Sequence, residues 1–167
     1  MTAVKKGTDL IVGNRIISKS DGYVGLIIGS DSVQVNLTPN SSIEARAGEA
    51  SNGITLTKGR ILVSSRGTES VIATPNVKVV AKDAKYSMRV MNETTVVAVT
   101  AGSVLVTNIN FPDTTATLTT DQMIYLARET PATDSLAQKM FDYDMDVISG
   151  YEATIAMLGN LRNDGSG

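Results

Sequence analysis

Three aspartates at alternating positions, Asp142, Asp144 and Asp146, give this 167-residue chain a stretch that resembles the start of a calcium-binding loop. Such a loop places acidic side chains at its positions 1, 3 and 5, and then needs glycine at position 6 and a bidentate glutamate at position 12. Here those two positions hold Val147 and Ala153. We therefore predict no calcium site and interpret the aspartates as an exposed acidic surface.

The serines of segment 29–32, Gly-Ser-Asp-Ser, are the next candidates for chemistry, as nucleophiles. A serine nucleophile needs a neighbouring base, and the chain has no histidine to supply one. We interpret this segment as a polar turn. Segment 58–60, Lys-Gly-Arg, lacks the upstream glycine loop that cradles phosphate groups. With cysteine also absent, we predict no catalytic residue, no cofactor and no metal ligand, and we expect the chain not to be an enzyme.

The basic side chains could in principle form a binding patch for an anionic polymer. They include Arg60, Arg66, Lys78, Lys82, Lys85 and Arg89. The formal net charge is −2 and few aromatic residues lie near them in sequence, so we interpret them as solubilising surface charges. No apolar run reaches the ~18 residues of a membrane span, and the N-terminus lacks a signal-peptide core. We expect no binding to nucleic acid and no membrane insertion; synthesis and use in the cytoplasm or in a virion is favoured, and a periplasmic location would require a longer native chain.

A glycine-centred strand pattern recurs along the chain and indicates which secondary structure surrounds the candidate residues. It occurs almost unchanged at residues 57–64 and 100–107, more loosely at 12–18, and again at 119–125 with Asp121 in place of glycine. Glycine adopts positive φ without steric cost, and Val and Ile suit a pleated surface. Each copy therefore predicts a tight turn leading into a β-strand.

Short segments rich in Val, Ile and Leu continue in this way from residue 10 to about residue 127, between turn-forming residues. This rhythm is typical of an all-β sandwich, a barrel or a short solenoid. Aromatic residues make up only 4% of the chain and tryptophan is absent, so the core must consist mainly of Val, Ile, Leu, Met and Ala. We predict a mainly β fold with a β-domain at residues 1–130.

The hydrophobic period becomes helical after Pro131, within a predicted second segment of residues 131–167. Apolar residues then recur every three or four positions, which predicts an amphipathic helix over residues 134–162. This stripe must be covered, either by the sheet of its own chain or by another subunit, and both alternatives stay open. The predicted interface residues are Leu136, Met140, Tyr143, Val147, Tyr151, Ile155, Leu158 and Leu161.

The β-segments resemble the FecR-like domain family in their order and spacing. The residues that carry the likeness are 10–16, 21–26, 33–41, 54–63, 72–75, 95–106 and the last strand up to Leu126. Asn14 stands where the family commonly has aspartate. The resemblance implies a non-enzymatic β-module, either a two-sheet sandwich or a short β-solenoid, here followed by a helix. The family is best known in periplasmic relays that pass a signal to a membrane or sigma-factor partner.

Three functions compete for such a module. Because no export signal or counterpart of the relay's membrane anchor is evident, our leading expectation is a structural subunit of a virion, filament or surface assembly. Such a subunit would bind copies of itself or other proteins of the same assembly through sheet edges and the helix. The alternative is a periplasmic FecR-like signalling module that binds a partner protein. A carbohydrate-binding module is a third reading, which the absence of tryptophan and the dispersed tyrosines disfavour.

Overall fold

The fold is known from a computed structural model that describes residues 15–20, 22–28, 33–45, 54–67 and 69–165. The serine segment at 29–32 and the first residues of the 12–18 repeat lie outside the described residues. The fold is mostly β, which confirms the predicted class. The elements are β1 (Arg15–Ile17), β2 (Val24–Ile28), β3 (Val33–Leu37), β4 (Ser42–Ala45), β5 (Ile54–Ser65), β6 (Ser70–Ala73), β7 (Val77–Met91), β8 (Thr94–Asn108), β9 (Ala116–Thr119), β10 (Gln122–Ala127), a 3-10 helix (Asp134–Leu136), β11 (Gln138–Lys139) and α1 (Asp142–Gly165).

Three long strands organise the molecule, because each of them contributes to two layers. The first half of β5 pairs with β4 and its second half pairs with β3. In the same way, β8 pairs with β10 through its first half and with β9 through its second half. β7 lies between them: it pairs with β8 along its length and with β5 through its second half, while its first half pairs with β6. The two layers are therefore folded halves of one hydrogen-bonded sheet.

The glycine repeats mark the corners where these strands bend. Gly59 and Gly102 both have φ of +84°, and each lies inside a continuous strand rather than in a turn between two strands. This corrects the predicted turns: the segments expected to be separate strands on either side of each glycine form β5 and β8. The positions of β8 that face the core between the layers change from odd to even numbers across its corner, from Val97 and Val99 to Val104 and Val106. Both halves can thereby face one core. Asp121, the non-glycine copy, has φ of 68° in the β9–β10 turn.

The core between the layers consists mainly of aliphatic side chains, as the composition predicted. Both layers contribute fully buried residues, among them Leu37, Ile43, Leu56, Ile61, Ile72, Met88, Leu118, Ile124 and Leu126. Tyr86 is the largest of these side chains. Burial at this scale supplies the main favourable term in folding, because each such side chain contributes ~1.5–3 kcal/mol when removed from water.

Two buried asparagines fix the loops at one end of the sheet. The Asn76 amide donates to the Leu126 carbonyl oxygen at 3.1 Å and accepts from the Thr95 hydroxyl at 2.8 Å. The Asn108 amide donates to three backbone carbonyl oxygens at the end of β10 and just after it, the shortest contact being 2.8 Å to Thr130. These bonds hold the chain where it leaves the β-sheet for its C-terminal segment.

The C-terminal helix begins later than the sequence predicts. Residues 134–136 form a 3-10 turn, and β11 pairs with β10, with Lys139 opposite Gln122 and Gln138 opposite Met123. The Met140 N–H then donates to the Asp121 carbonyl oxygen at 2.7 Å. The backbone is therefore extended where the stripe predicted a helix, and α1 begins only at Asp142. The division of the chain at residue 130 stays a prediction.

Candidate interaction surface

Helix α1 lies on the outer face of the layer formed by β10 and the adjoining halves of β8, β7 and β5. A second apolar cluster joins the two, and it is separate from the core between the layers. The sheet supplies Leu62, Val96, Ala98 and Met123, and all four are at most 8% exposed. From the C-terminal segment, Met140 and Ile148 are buried in this cluster, and Met145, Tyr151 and Ile155 pack against it. The helix is therefore docked on its own chain.

The eight residues of the predicted interface are only partly brought together. Leu136 lies in the 3-10 turn and is exposed, Met140 is buried before α1, Tyr143 is 76% exposed, and Val147, Tyr151 and Ile155 are half-buried. Leu158 and Leu161 lie within α1, and their side chains are outside the described part. Sequence reasoning missed Ile148, whose spacing to Tyr151 and Ile155 gives an equally good helical stripe. That these eight residues bind a partner stays a prediction.

Four of the five tyrosines of the chain converge at one side of α1. They are Tyr23 before β2, Tyr125 on β10, and Tyr143 and Tyr151 on α1. Tyr125 belongs to a row of register partners on four neighbouring strands, together with Arg60, Arg89 and Val96, and the Tyr151 ring lies beside Arg60. We call Tyr23, Tyr125, Tyr143, Tyr151, Arg60 and Arg89 the Tyr–Arg patch. The sequence places these residues far apart, and only the sheet register and the docked helix join them.

The inner part of the Tyr–Arg patch is built on ring contacts. The Tyr23 and Tyr151 rings meet edge to face, with centroids 6.4 Å apart and planes at 64°. The Arg60 guanidinium carbon lies 5.5 Å from the centroid of the Tyr151 ring. A cation over an aromatic ring at this distance contributes ~0.5–2 kcal/mol, depending on how far it is desolvated. These contacts tie α1 to β5 and to the start of β2.

Positive charge in the Tyr–Arg patch is incompletely neutralised. Burial lowers the pKa of Arg60, and the neighbouring Arg89 charge lowers it further, whereas Tyr151, Asp144 and Tyr143 oppose this shift. The Arg60 Nη1 atom is buried and has no hydrogen-bond partner among the described residues. Within that same part of the chain, the one ion pair that forms, Arg15 with Glu44 at 2.8 Å, lies on β1 and β4. The two arginines thus keep unused capacity to bind an anion.

The outer part of the Tyr–Arg patch is open to solvent. Tyr125 is 40% exposed, and Arg89 and Tyr143 are exposed as well. Burial raises the pKa of Tyr125, and the nearby Asp144 charge raises it further, while Arg89 lowers it. Tyrosine and arginine are the residue types that most often anchor protein–protein interfaces, together with tryptophan. An exposed cluster of both types is therefore suited to binding another protein.

The remaining basic residues noted in the sequence do not join the Tyr–Arg patch. Arg66 follows β5 and is exposed. Lys78 is the register partner of Ala73 and Thr107, and Lys82 lies at the irregularity in β7. Lys85 shares the strand of Arg89 but pairs with Ser64, away from Arg60. Only Arg60 and Arg89 of the six are therefore adjacent.

The rest of the described surface offers little for catalysis. A cleft of about 320 Å³ opens at the Asn76 end of the sheet, between Pro75, Val90, Asn92, Glu93, Asn110 and Arg128. It holds one carboxylate and no nucleophile paired with a base. Across the described residues, no group of three or more acidic side chains is placed to hold a metal ion. In that same part, no helix is long and apolar enough to cross a membrane.

The comparison with known proteins finds a family match that lies within the β-strands of the chain. The family model described as FecR protein matches residues 15–105, which is more than half of the chain. Two crystal structures of a proposed anti-sigma factor from Parabacteroides distasonis have the same fold, each with a TM-score of 0.57, at 15% and 14% sequence identity. In both cases the match covers 76% of this chain and 60% of the other. No curated protein matches the chain.

These findings contradict our leading expectation from the sequence. We expected a virion, filament or surface-assembly subunit that binds copies of itself, and the family match and the regulatory neighbours favour the signalling alternative instead. The prediction was wrong because it relied on the lack of an evident export signal or membrane anchor and on edge strands that could pair across chains. Part of the stripe, namely Met140, Tyr151 and Ile155, packs on the sheet of its own chain. The outer edge of β9 is capped: Asp134 accepts from the Thr117 N–H at 2.9 Å and Gln122 from the Thr119 N–H at 2.8 Å.

Proposed function

Because the chain belongs to the FecR protein family, we propose that it is a non-enzymatic signalling module that relays a signal by binding a partner protein. The family match carries this proposal. FecR-type modules are typically non-enzymatic, and the sequence has neither histidine nor cysteine. The described clefts and clusters likewise hold no nucleophile–base pair, which supports a binding role.

The Tyr–Arg patch is the surface through which we propose that this binding occurs. It combines exposed tyrosines with two arginines that have no carboxylate bonded to them among the described residues. Tyrosine side chains bury a large area at low cost in side-chain entropy, because a tyrosine has only two flexible torsions. The patch has residues on α1 and on the strands β5, β7 and β10. The affinity for a partner would therefore depend on how the helix is positioned on the sheet.

We base a proposal for the output of this signalling module on the solved structures that share its fold. The Parabacteroides distasonis protein is a proposed anti-sigma factor, and this chain spans 60% of its length. We propose that the present module also acts upstream of transcription initiation. In that role it would alter the activity of one promoter class, without itself touching DNA.

Deletion of the gene in the organism that encodes the chain tests this function. RNA sequencing would compare the deletion strain with strains complemented by the wild type, by Arg89→Glu or by the control Lys85→Glu. We expect a small set of promoters with shared sequence elements to respond to the deletion, and Lys85→Glu to restore them. An unchanged transcript profile in the deletion strain would overturn the proposal.

A further inference from the structure

We propose that the Tyr–Arg patch recognises an acidic segment of its partner protein, with a carboxylate of the partner held between Arg60 and Arg89. This inference rests on the proposed function, since it assigns the chemistry of the partner that the signalling module binds. It also assigns Asp144 of α1 as the internal group that competes with that carboxylate.

The arrangement of charges carries the inference. Arg60 and Arg89 are direct register partners on β5 and β7. Like charges directly opposite each other across two strands destabilise the pair. An arginine can bind a carboxylate through two parallel N–H···O bonds, which would relieve this repulsion and add charge-assisted hydrogen bonds. Arg89 is exposed and Arg60 is half-buried, and neither has a carboxylate bonded to it among the described residues, so the exposed side of the pair can accept such a ligand.

Asp144 of α1 is the carboxylate whose charge acts on Arg60, and it only partly fills this role. It raises the pKa of both Arg60 and Tyr125, so it lies close to both groups. It forms no ion pair with either arginine among the described contacts. A carboxylate of a partner would therefore stabilise the charge of Arg60 as Asp144 does. The two carboxylates would also repel each other. Removal of the Asp144 charge should then strengthen partner binding.

The tyrosine rings favour a protein segment over a sugar. A sugar needs an open, flat ring face, whereas the Tyr151 face is occupied by Arg60 and the Tyr23 ring meets Tyr151 at 64°. The exposed rings of Tyr125 and Tyr143 flank the arginines and can cover the apolar neighbours of a carboxylate. A nucleic acid would place a row of phosphates over the exposed carboxylates of Asp142 and Asp146 on α1, whereas a peptide can present a single carboxylate to the arginines.

Selection from a library of random peptides displayed on phage tests the chemistry directly. The full chain would be the target, and selected sequences would be synthesised and their affinities measured by fluorescence polarisation. We expect the selected peptides to carry Asp or Glu beside apolar residues, and their affinity to fall as the salt concentration rises. Peptides without acidic residues, or a selection that returns no binder, would overturn the inference.

Matched variants then localise the binding. We expect Arg89→Glu to weaken the selected peptides by about tenfold or more, and Asp144→Asn to strengthen them by about two- to fivefold. Lys85→Glu is the control, because it makes the same charge change at another exposed position of β7 and should leave the affinity unchanged. Arg60→Lys keeps the charge but removes the bidentate geometry, and we expect an intermediate loss.

The outcomes separate this inference from the proposed function. Equal affinities for Arg89→Glu and the wild type would show that the acidic segment is not held by the arginines, even if the deletion strain shows the transcriptional response. A sugar array or a single-stranded DNA probe that binds while peptides do not would also overturn the inference. Conversely, normal peptide binding together with an unchanged transcript profile would leave the chemistry intact and refute only the signalling role.

Discussion

At the residue scale, two glycines determine where the long strands fold over the core. A β-carbon added at Gly59 would overlap Ser41 Oγ, and one added at Gly102 would overlap the Asp83 carbonyl oxygen. Both residues also have positive φ, a conformation that costs other residues about 1–2 kcal/mol. Crowding and backbone conformation thus require glycine at both corners for separate reasons.

Gly102→Ala should therefore destabilise the protein more than the matched change Gly67→Ala. Gly67 also has positive φ, of 75°, but an added β-carbon there meets no atom within 4 Å. We expect about 1–2 kcal/mol of lost stability at Gly67 from φ alone and at least about 2–4 kcal/mol at Gly102, where backbone must move as well. Urea unfolding followed by circular dichroism measures both, and equal losses would refute the role of crowding.

Tyr86 is a second residue whose effect can be isolated. Burial raises the pKa of Tyr86, and the neighbouring Ser70 hydroxyl lowers it by less. No described residue meets hydrogen-bond geometry with the Tyr86 hydroxyl, since Ser70 itself bonds the Ala81 carbonyl oxygen at 3.2 Å. The folded state therefore favours the neutral phenol.

From this we predict that the wild type loses stability relative to Tyr86→Phe above about pH 10, the usual pKa of tyrosine. The stability that comes from keeping the Tyr86 phenol neutral is fully present below that pH. It is lost as the pH rises from there towards the raised pKa of Tyr86 in the folded state. Near pH 7 we expect the two proteins to agree within about 1 kcal/mol, because the phenol loses no well-formed hydrogen bond. Thermal unfolding at a series of pH values tests this; parallel curves for both proteins would contradict it.

At the scale of elements, helix α1 is the cover of one sheet face. Its stripe runs through Ile148, Tyr151 and Ile155, and it meets Leu62 and Met123 of the sheet. The helical period in the sequence predicted the existence of this helix, but it permitted either Val147 or Ile148 to face inwards. Contact with the outward side chains of β5, β8 and β10 selects Ile148, which is buried against the sheet, while Val147 is only half-buried.

Ile148→Ala should thus loosen the docking of α1. Ile148 is 3% exposed, and removal of a buried isoleucine side chain typically costs 2–5 kcal/mol. Met157→Ala on the same helix is the control, since Met157 is 57% exposed and its loss should cost less than about 0.5 kcal/mol. Denaturant unfolding measures the stability, and hydrogen exchange of α1 shows whether the helix opens. Similar values for both variants would mean that α1 does not pack as described.

At the scale of the whole molecule, the covered face and the capped edge determine how the chain meets other chains. The apolar face of β5, β8 and β10 is hidden under α1, and the N–H groups of Thr117 and Thr119 are bonded by side chains. Natural sheet proteins use such covers to prevent pairing between edges. The Tyr–Arg patch, by contrast, stays accessible.

The full chain should accordingly be a monomer in solution. Light scattering after size exclusion, at increasing protein concentrations, should give the mass of one chain throughout. A chain truncated after Met140 is the comparison: it exposes Leu62, Val96 and Met123, and we expect it to self-associate. A stable oligomer of the full chain would contradict this prediction and revive assembly as a property of the protein.

Much of the architecture was accessible from the sequence because it depends on local chemistry. The alternation of Val and Ile with polar residues predicted strands, the repeated glycines predicted positive φ at Gly59 and Gly102, and the stripe after Pro131 predicted a helix. The lack of histidine and cysteine limited the chemistry, and the order of the β-segments carried the FecR resemblance. The signals for strands, glycine conformation and helix each lie within a few neighbouring residues, and the resemblance needs only their order along the chain.

Only the tertiary structure decided which distant residues meet. Alternation tells which side chains share one face of a strand, but neither which strand lies beside it nor which layer it joins. The sequence therefore predicted turns at the glycines, although these residues lie at bends within continuous strands. It likewise predicted a helix over β11, which instead pairs with β10. For the same reason the tyrosines looked dispersed. Register across β5, β7, β8 and β10, with α1 docked above them, is what places four of them around Arg60 and Arg89.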